Sequence, residues 1–138
     1  TAMSGKFNVT IPFNKSLKHL PFNVKVTYLS GILIDLVGAT ITEEEAVISA
    51  RATGLNMLAS IKQQLGDLQK INRIVKLNGM VNSAPGFQRQ FAVIDGASNL
   101  FYELLGPRHG QHARSAVGMF ELPRGFCMEI EGIFEIKV

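Results

Sequence analysis

The pattern of apolar and polar positions divides the chain into strands and helices of an α+β protein. Strand-like patterns, either alternating or continuously apolar, occur five times along the chain: residues 6–13, 23–31, 71–82, 112–120 and 126–137. Apolar residues at helical spacing predict one helix over 41–66 and a second over 93–106, each ended by a glycine. This order of elements predicts helices packed on one face of a single mixed sheet.

The first predicted helix has the clearest signals. Thr42 is placed to cap its N-terminus, Glu45 lies three residues further on as in a capping box, and Gly66 supplies the stop. One face repeats small and apolar residues at helical spacing: Ala46, Ala50, Thr53, Met57, Ile61 and Leu65. The pattern predicts a long helix lying on a flat surface.

The last two strands are predicted to form a hairpin around the turn Leu-Pro-Arg-Gly at 122–125. The resulting register pairs Arg114 with Ile133, Ala116 with Glu131 and Gly118 with Glu129. The core face of the hairpin is then Val117, Met119, Met128, Ile130, Gly132 and Phe134. The opposite face is Arg114, Ala116, Gly118, Glu129, Glu131, Ile133 and Glu135.

Arg114 is the unusual residue of this hairpin, because it stands in a run of small and apolar side chains. One interpretation is a solvated outer face with ordinary charge pairs. In a variant of it, Arg114 only pairs with Glu131 or Glu135 at an interface between subunits. The other follows from Ala116 and Gly118, which leave room for a ligand or a partner subunit to approach the backbone. The second interpretation predicts a binding site at Arg114.

Composition supports one soluble domain over residues 1–138, of which 1–23 are the hardest to interpret. The chain is 46% hydrophobic and 18% charged, without an apolar run of membrane-spanning length. The first residues lack the regions of a secretion signal, and Cys127 is the single cysteine. We therefore expect a cytoplasmic protein with no membrane partner.

Charge and histidine placement argue against two further classes of site. The net charge is +3, but the basic residues are scattered and not interleaved with aromatics, so nucleic acid is not an expected partner. His19, His109 and His112 do not have the spacing of metal ligands. No metal and no cofactor are expected.

The second half of the chain resembles the RidA/YjgF family. The segment HARSAVGMFELPRGFCMEIEGIFEI, which begins at His112, resembles the family signature of an arginine, an apolar strand, Leu-Pro and a Glu-x-Glu strand. LGDLQKINRIVKLNGMVNSAPGF and YLSG are similar to two further family segments. The resemblance implies a chorismate-mutase-like fold, a homotrimer with its site between subunits, and hydrolysis of reactive enamines and imines to 2-keto acids and ammonia.

The resemblance also implies roles for individual residues. Arg114 falls on the arginine that holds the substrate carboxylate, and Glu129 on the acid that binds substrate or activates water; these are the expected catalytic pair. The expected substrate-binding residues include the Ser-Gly pair, Ser30 and Gly31, and the aromatic residue of the cleft, Phe87. Ala116 stands where many relatives have a cysteine and is expected to bind through its backbone amide. Glu131 is the alternative acid if Glu129 does not act. Arg114 and Glu129 are expected to meet across a subunit boundary.

Three functions stay open at this point. The first is a deaminase of 2-imino and enamine acids. The second is a trimeric protein that binds a carboxylate-bearing metabolite without turnover, because the family's N-terminal tyrosine motif has no counterpart in NKSLKHLPFNVKV at 14–26. The third, RNA binding or cleavage, is disfavoured by the missing basic and aromatic surface.

Overall fold

A computed structural model of the chain describes residues 8–10, 22–29 and 33–137. Five strands form one sheet: β1 Asn8–Thr10, β2 Phe22–Leu29, β3 Ile71–Asn82, β4 Ala113–Met119 and β5 Met128–Ile136. Their order across the sheet is β1-β2-β5-β3-β4, in which β3 and β4 are parallel and the other neighbours antiparallel. The predicted mixed sheet is confirmed.

Two helices cover one face of this sheet: α1 Glu43–Leu65 and α2 Gln90–Gly110. α1 lies over β2 and β5, α2 lies over β3 and β4, and the two helices pack against each other. Apolar side chains from the helices and from the inner face of the sheet form one core, which includes Met57, Leu77, Ile94, Phe101 and Phe134. The α+β architecture with both helices on one face is confirmed.

The first helix begins and ends where its sequence signals lie. Glu45 N–H donates to Thr42 Oγ1 over 3.2 Å, and Thr42 N–H donates to Glu45 Oε2 over 2.9 Å, which is the predicted capping box. Gly66 ends the helix with φ of 84°, and its N–H donates to the Lys62 carbonyl. Thr42 and Gly66 therefore fix both ends of α1.

Glycines allow the two helices to approach each other closely. A Cβ on Gly96 of α2 would overlap the Val47 carbonyl oxygen of α1. A Cβ on Gly54 of α1 would meet the end of the Leu100 side chain at 3.0 Å and would lie in ordinary contact with Ala97 at 3.5 Å. Gly96 therefore tolerates a side chain less well than Gly54, because its neighbour is a backbone carbonyl that cannot rotate away.

The second helix extends beyond its predicted end. Gly106 has φ of 73° and ψ of 174°, so regular helical geometry breaks at the predicted glycine. Pro107 then begins one more turn, which runs to Gly110 and leads directly into β4. Neither helix of the described residues is long and apolar enough to cross a membrane.

The predicted hairpin between the last two strands is wrong, because β3 lies between β4 and β5. Met80 of β3 pairs with Val117 of β4 on one side and with Glu129 of β5 on the other. The Leu-Pro-Arg-Gly segment does contain a tight turn, but it carries the chain across the end of β3. β4 follows a helix that crosses over from β3, and such a crossover produces a parallel neighbour.

The two faces of β4 are consequently exchanged relative to the prediction. Val117 and Met119 point away from the helices, and Val117 is 43% exposed, whereas both were predicted in the core. Arg114, Ala116 and Gly118 lie on the face that α2 covers. Met128, Ile130 and Phe134 of β5 are buried as predicted.

Candidate active site

Arg114 lies near the start of the outer strand β4 and points towards α2. Its Nη1 donates to Asp95 Oδ1 over 2.6 Å and to Ser98 Oγ over 3.1 Å. The Arg114 side chain is 24% exposed and that of Asp95 is 46% exposed, so this ion pair lies at the boundary of the protein with solvent. Within one subunit Arg114 pairs with Asp95 rather than with Glu131 or Glu135, and Glu135 contacts Asn72 and Arg73. Pairing of Arg114 with these acids across a subunit interface stays a prediction.

A histidine continues the polar network of Arg114. His112 Nε2 lies 2.9 Å from Ser98 Oγ, and His112 Nδ1 lies 2.7 Å from the Gly110 carbonyl oxygen. The side chains of His112 and Arg114 are brought together because His112 immediately precedes β4 and lies two residues before Arg114 in extended chain. Asp95 and Ser98 are brought together because they are three residues apart on one helix.

The imidazole of His112 is half-buried and its surroundings favour the neutral ring. Burial lowers the pKa of His112 below its ordinary value of 6.5, and the charge of Arg114 lowers it further. The hydrogen bond to the Gly110 carbonyl acts in the opposite direction. The edge of the ring faces Phe101, with ring centroids 6.3 Å apart.

A shallow cavity of about 350 Å³ opens beside this network. Ser98, His112 and Arg114 line one part of it, and Asn99 and Tyr102 of α2 line another. The cavity therefore combines a guanidinium, a hydroxyl, a neutral imidazole and a phenol within the space of a small metabolite.

The small residues of β4 have neighbours on the face that α2 covers. A Cβ on Gly118 would lie 3.0 Å from Gln90 Nε2 and 3.3 Å from Ser83 Oγ, and Ala116 packs against the core. Gly118 nevertheless remains exposed and Ala116 is only partly buried, so the approach of a ligand or partner subunit to these two residues stays a prediction.

Glu129 and Glu131 lie away from Arg114. Glu129 shares its row of the sheet with Met80 and Val117, on the face opposite to the helices. Two strand spacings and three residues along the strand separate the Cα atoms of Glu129 and Arg114 by about 14 Å. Glu131 is likewise on the opposite face, so neither acid reaches Arg114 within one subunit.

Phe87 lies near the other end of β4. Its carbonyl accepts a hydrogen bond from Gln90 Nε2 over 2.8 Å, and its ring packs at Gly38. Gln90 stands over Gly118, which is about 13 Å along the strand from Arg114. The structure therefore does not bring Phe87 to Arg114, and the predicted Ser30 and Gly31 lie outside the described residues.

The sequence-based prediction missed Asp95 and Ser98, and it interpreted His112 as a loop residue. A signal for the first two exists: polar residues three apart interrupt the apolar pattern of α2. These polar residues indicate a site only if β4 is known to lie beneath α2. The predicted hairpin instead placed Arg114 on the face of the sheet away from that helix.

The described residues also bear on metal binding and on thiol chemistry. Within residues 8–10, 22–29 and 33–137, no group of three or more His, Cys, Asp or Glu side chains is arranged to hold a metal ion. Cys127 is fully buried, and its sulfur lies 3.6 Å from Ser49 Oγ. Full burial beside a serine hydroxyl differs from the partially exposed, electropositive surroundings of a reactive thiolate.

Sequence comparison defines the class of the protein. A family profile described as "YjgF/chorismate_mutase-like, putative endoribonuclease" matches residues 11–127. The chain is 39% identical to the protein TCP17 of Trypanosoma cruzi over 109 residues, which cover 79% of this chain and 68% of that protein. The chain therefore belongs to the YjgF/chorismate-mutase-like family.

Two crystal structures are similar to the fold described above. The first is the protein Atu1372 from Agrobacterium tumefaciens, a protein of unknown function, with 40% identity and a TM-score of 0.83; the match covers 94% of this chain and 82% of that one. The second is a "putative endoribonuclease" from Shewanella oneidensis MR-1, with 27% identity and a TM-score of 0.74; it covers 81% and 79% of the two chains. The predicted family and fold are both confirmed.

Proposed function

We propose that this protein is a RidA-type deaminase, which hydrolyses 2-imino and enamine acids to 2-keto acids and ammonia. The observation that carries the proposal is the guanidinium of Arg114 at the edge of a cavity. Among the described residues its two hydrogen bonds both use Nη1, so Nε and Nη2 can donate to a carboxylate. Arginine suits this task because its planar fork binds a carboxylate through two charge-assisted bonds.

Binding of the carboxylate places the neighbouring imine carbon at a fixed distance from the guanidinium. A water held in the cavity then adds to that carbon, and the entropic cost of orienting the two reactants has already been met by binding. Imines hydrolyse in water unaided, so positioning together with a general-base contribution of about 10²–10⁴-fold is sufficient for a useful catalyst. Asp95 and Ser98 keep the guanidinium oriented between turnovers.

The proposal includes a homotrimer whose subunits complete one another's sites. β4 is an outer strand of the described sheet, and such a strand offers backbone groups to a neighbouring chain. Val117 of β4 is 43% exposed and Phe120, directly after β4, is 92% exposed. These exposed apolar side chains support a surface that another subunit covers. In this arrangement Glu129 and Glu131 of one subunit approach Arg114 and the Ala116 backbone of the next, and Phe87 lines the wall of the cleft. Ser30 and Gly31 remain proposed substrate-binding residues on the family resemblance.

The direct test measures keto-acid release from 2-iminopropionate and 2-iminobutyrate generated in situ by an amino-acid oxidase or a dehydratase. The wild type should accelerate release, and Arg114→Ala should abolish the acceleration. Arg51→Ala is the matched control, because Arg51 also pairs with a carboxylate of α2, Glu103, but on the outer helix surface. Wild type that is folded and trimeric yet gives no acceleration would refute the deaminase.

A carboxylate-binding protein without turnover is the second candidate, because Arg114 at the edge of the cavity supports carboxylate binding whether or not the ligand is hydrolysed. The Asp95 carboxylate already occupies Arg114 Nη1, as a bound ligand would. Calorimetric titration with 2-ketobutyrate separates the two candidates: binding that depends on Arg114 without imine hydrolysis identifies a binding protein.

RNA is a less favoured ligand. Four arginines of the described residues are each paired with a carboxylate, which neutralises much of the local positive field: Arg51, Arg73, Arg89 and Arg114. An RNA mobility-shift titration at 50 and 200 mM salt tests this argument, and tight binding that weakens steeply with salt would contradict it.

A further inference from the structure

Four hydrogen-bonding groups beside the cavity form a series in which every proton points the same way. The Gly110 carbonyl can only accept, so His112 Nδ1 carries the proton of the bond between them. In the neutral ring Nε2 is then an acceptor, and the Ser98 hydroxyl donates to it. Arg114 Nη1 donates to Ser98 Oγ, because a guanidinium has no acceptor.

This series defines what Ser98 offers to the cavity. Its oxygen donates one proton and accepts one, which leaves one lone pair of the two. Ser98 can therefore accept a proton from a water while it passes its own proton to His112 Nε2. The hydroxyl becomes a bridge between the cavity and a ring that is able to store the proton.

The charges around His112 are consistent with storage and return of a proton. Arg114 stands beside it on β4, and Asp95 of α2 is bound to that arginine. Arg73 and Arg108 line a second cavity along with His112. Arg73 is itself paired with Glu135. Burial and the charge of Arg114 favour the neutral resting ring, and the same charge favours release of a proton once the ring has gained one.

We propose that Ser98 and His112 are the proton relay for imine hydrolysis at Arg114, an inference that rests on the function proposed above. In this proposal Glu129 of the neighbouring subunit orients the water. The proton acceptor, His112, belongs to the same subunit as Arg114. His112 is a positioning and proton-storing residue that acts through Ser98.

The relay balances the reaction of a protonated 2-imino acid. The water oxygen forms a bond to the iminium carbon, the C=N π pair moves to nitrogen, and one water proton passes through Ser98 to His112. The imidazolium returns this proton through Ser98 to the nitrogen of the carbinolamine. The C–N bond then breaks with its electron pair going to nitrogen, the hydroxyl becomes the keto group, and its proton leaves with ammonia as ammonium.

The kinetic test compares kcat and KM across pH 5–9 for wild type, His112→Gln, Ser98→Ala and the double variant. We expect His112→Gln to lose about 10²-fold in kcat with KM changed less than about threefold. The double variant should lose no more than either single variant, because the two groups act as one unit. Wild-type kcat should fall at acid pH, and this acid limb should be absent from His112→Gln.

His109→Gln is the matched control, since His109 also hydrogen-bonds a main-chain carbonyl but lies outside this network. It should retain both the wild-type rate and the acid limb. An unchanged rate and acid limb in His112→Gln, in a protein whose Arg114→Ala variant is inactive, would overturn the relay and leave the deaminase standing. An inactive wild type would overturn both.

A measurement on the unmodified protein guards against a variant that fails to fold. The imidazole ¹⁵N spectrum of wild type at pH 7 should show His112 in the neutral form with the proton on Nδ1. A proton on Nε2, or a charged ring at pH 7, would overturn the relay even if every variant were inactive.

Discussion

Asp95 Oδ1 accepts a hydrogen bond from Arg114 Nη1 over 2.6 Å, and this contact joins the second helix to the outer strand of the sheet. The bond leaves part of the guanidinium fork facing the cavity. It also places a second carboxylate beside the position of a bound carboxylate. In the proposed function, the two residues therefore set both the orientation of the guanidinium and its affinity for a carboxylate.

Asp95→Asn should tighten the binding of 2-ketobutyrate. Two carboxylates about 4 Å apart repel by about 1 kcal/mol in water, so removal of one charge should lower Kd about fivefold. Calorimetric titration measures the change. Glu103→Gln, which removes a carboxylate elsewhere on α2, should leave Kd unchanged, and weaker binding by Asp95→Asn would mean that its charge is needed to hold the arginine.

His112 should make the fold less stable as the pH falls below neutral. Its folded pKa is lowered, chiefly by burial, so the unfolded chain takes up the proton first. The contribution of neutral His112 to the free energy of unfolding is fully present above the pKa of the unfolded chain. It is lost as the pH falls through the pKa of His112 in the folded protein. Urea unfolding between pH 7.5 and 5 should show a steeper decline for wild type and His109→Gln than for His112→Gln; parallel declines would contradict the shift.

Gly96→Ala and Gly54→Ala should differ in stability although both gain the same helix propensity, about 1 kcal/mol. The new methyl group at Gly96 meets the backbone carbonyl of Val47, which cannot move aside without moving α1. We expect a net loss of about 2 kcal/mol there. At Gly54 the Leu100 side chain can shift, and the change should stay within about 1 kcal/mol of zero. Urea midpoints of both variants decide between these outcomes.

Thr42→Ala should destabilise the protein by about 1 kcal/mol, because Glu45 N–H loses its acceptor at the start of α1. Thr42→Ser retains the acceptor and should lie close to wild type. Thr40→Ala, at an exposed position outside the capping box, is the control. A loss at Thr40 equal to that at Thr42 would show that the capping box does not contribute.

The sequence was sufficient for those parts of the fold that depend on local chemistry. Thr42, Glu45 and Gly66 specify the ends of α1 through contacts within a few residues, and these ends were predicted correctly. Gly106 marks a real break in α2, but the short turn after it was not predicted. Pro107 is compatible with the first turn of a helix as well as with a loop, so local pattern could not decide between them.

The error in the site came from long-range pairing. A tight turn at 122–125 fits a hairpin, and nothing local shows that β3 separates the two strands it connects. A strand assigned to the wrong neighbour can present the wrong face. Arg114 was therefore identified as the important residue while its partners Asp95, Ser98 and His112 were not.

Gly110 links the geometry of the site to a pattern that can be searched in other sequences. A Cβ at this position would lie 2.5 Å from the Phe101 carbonyl oxygen and 2.9 Å from Tyr102 Cα, so any larger residue would displace the carbonyl that fixes the proton on His112. Gly110 is required because no side chain fits there. His112 is required to take up the proton, and Arg114 is required to bind the carboxylate. Relatives with Gly-x-His-x-Arg at this strand and a serine 16 residues before the arginine should share the relay, and those without it need another proton acceptor.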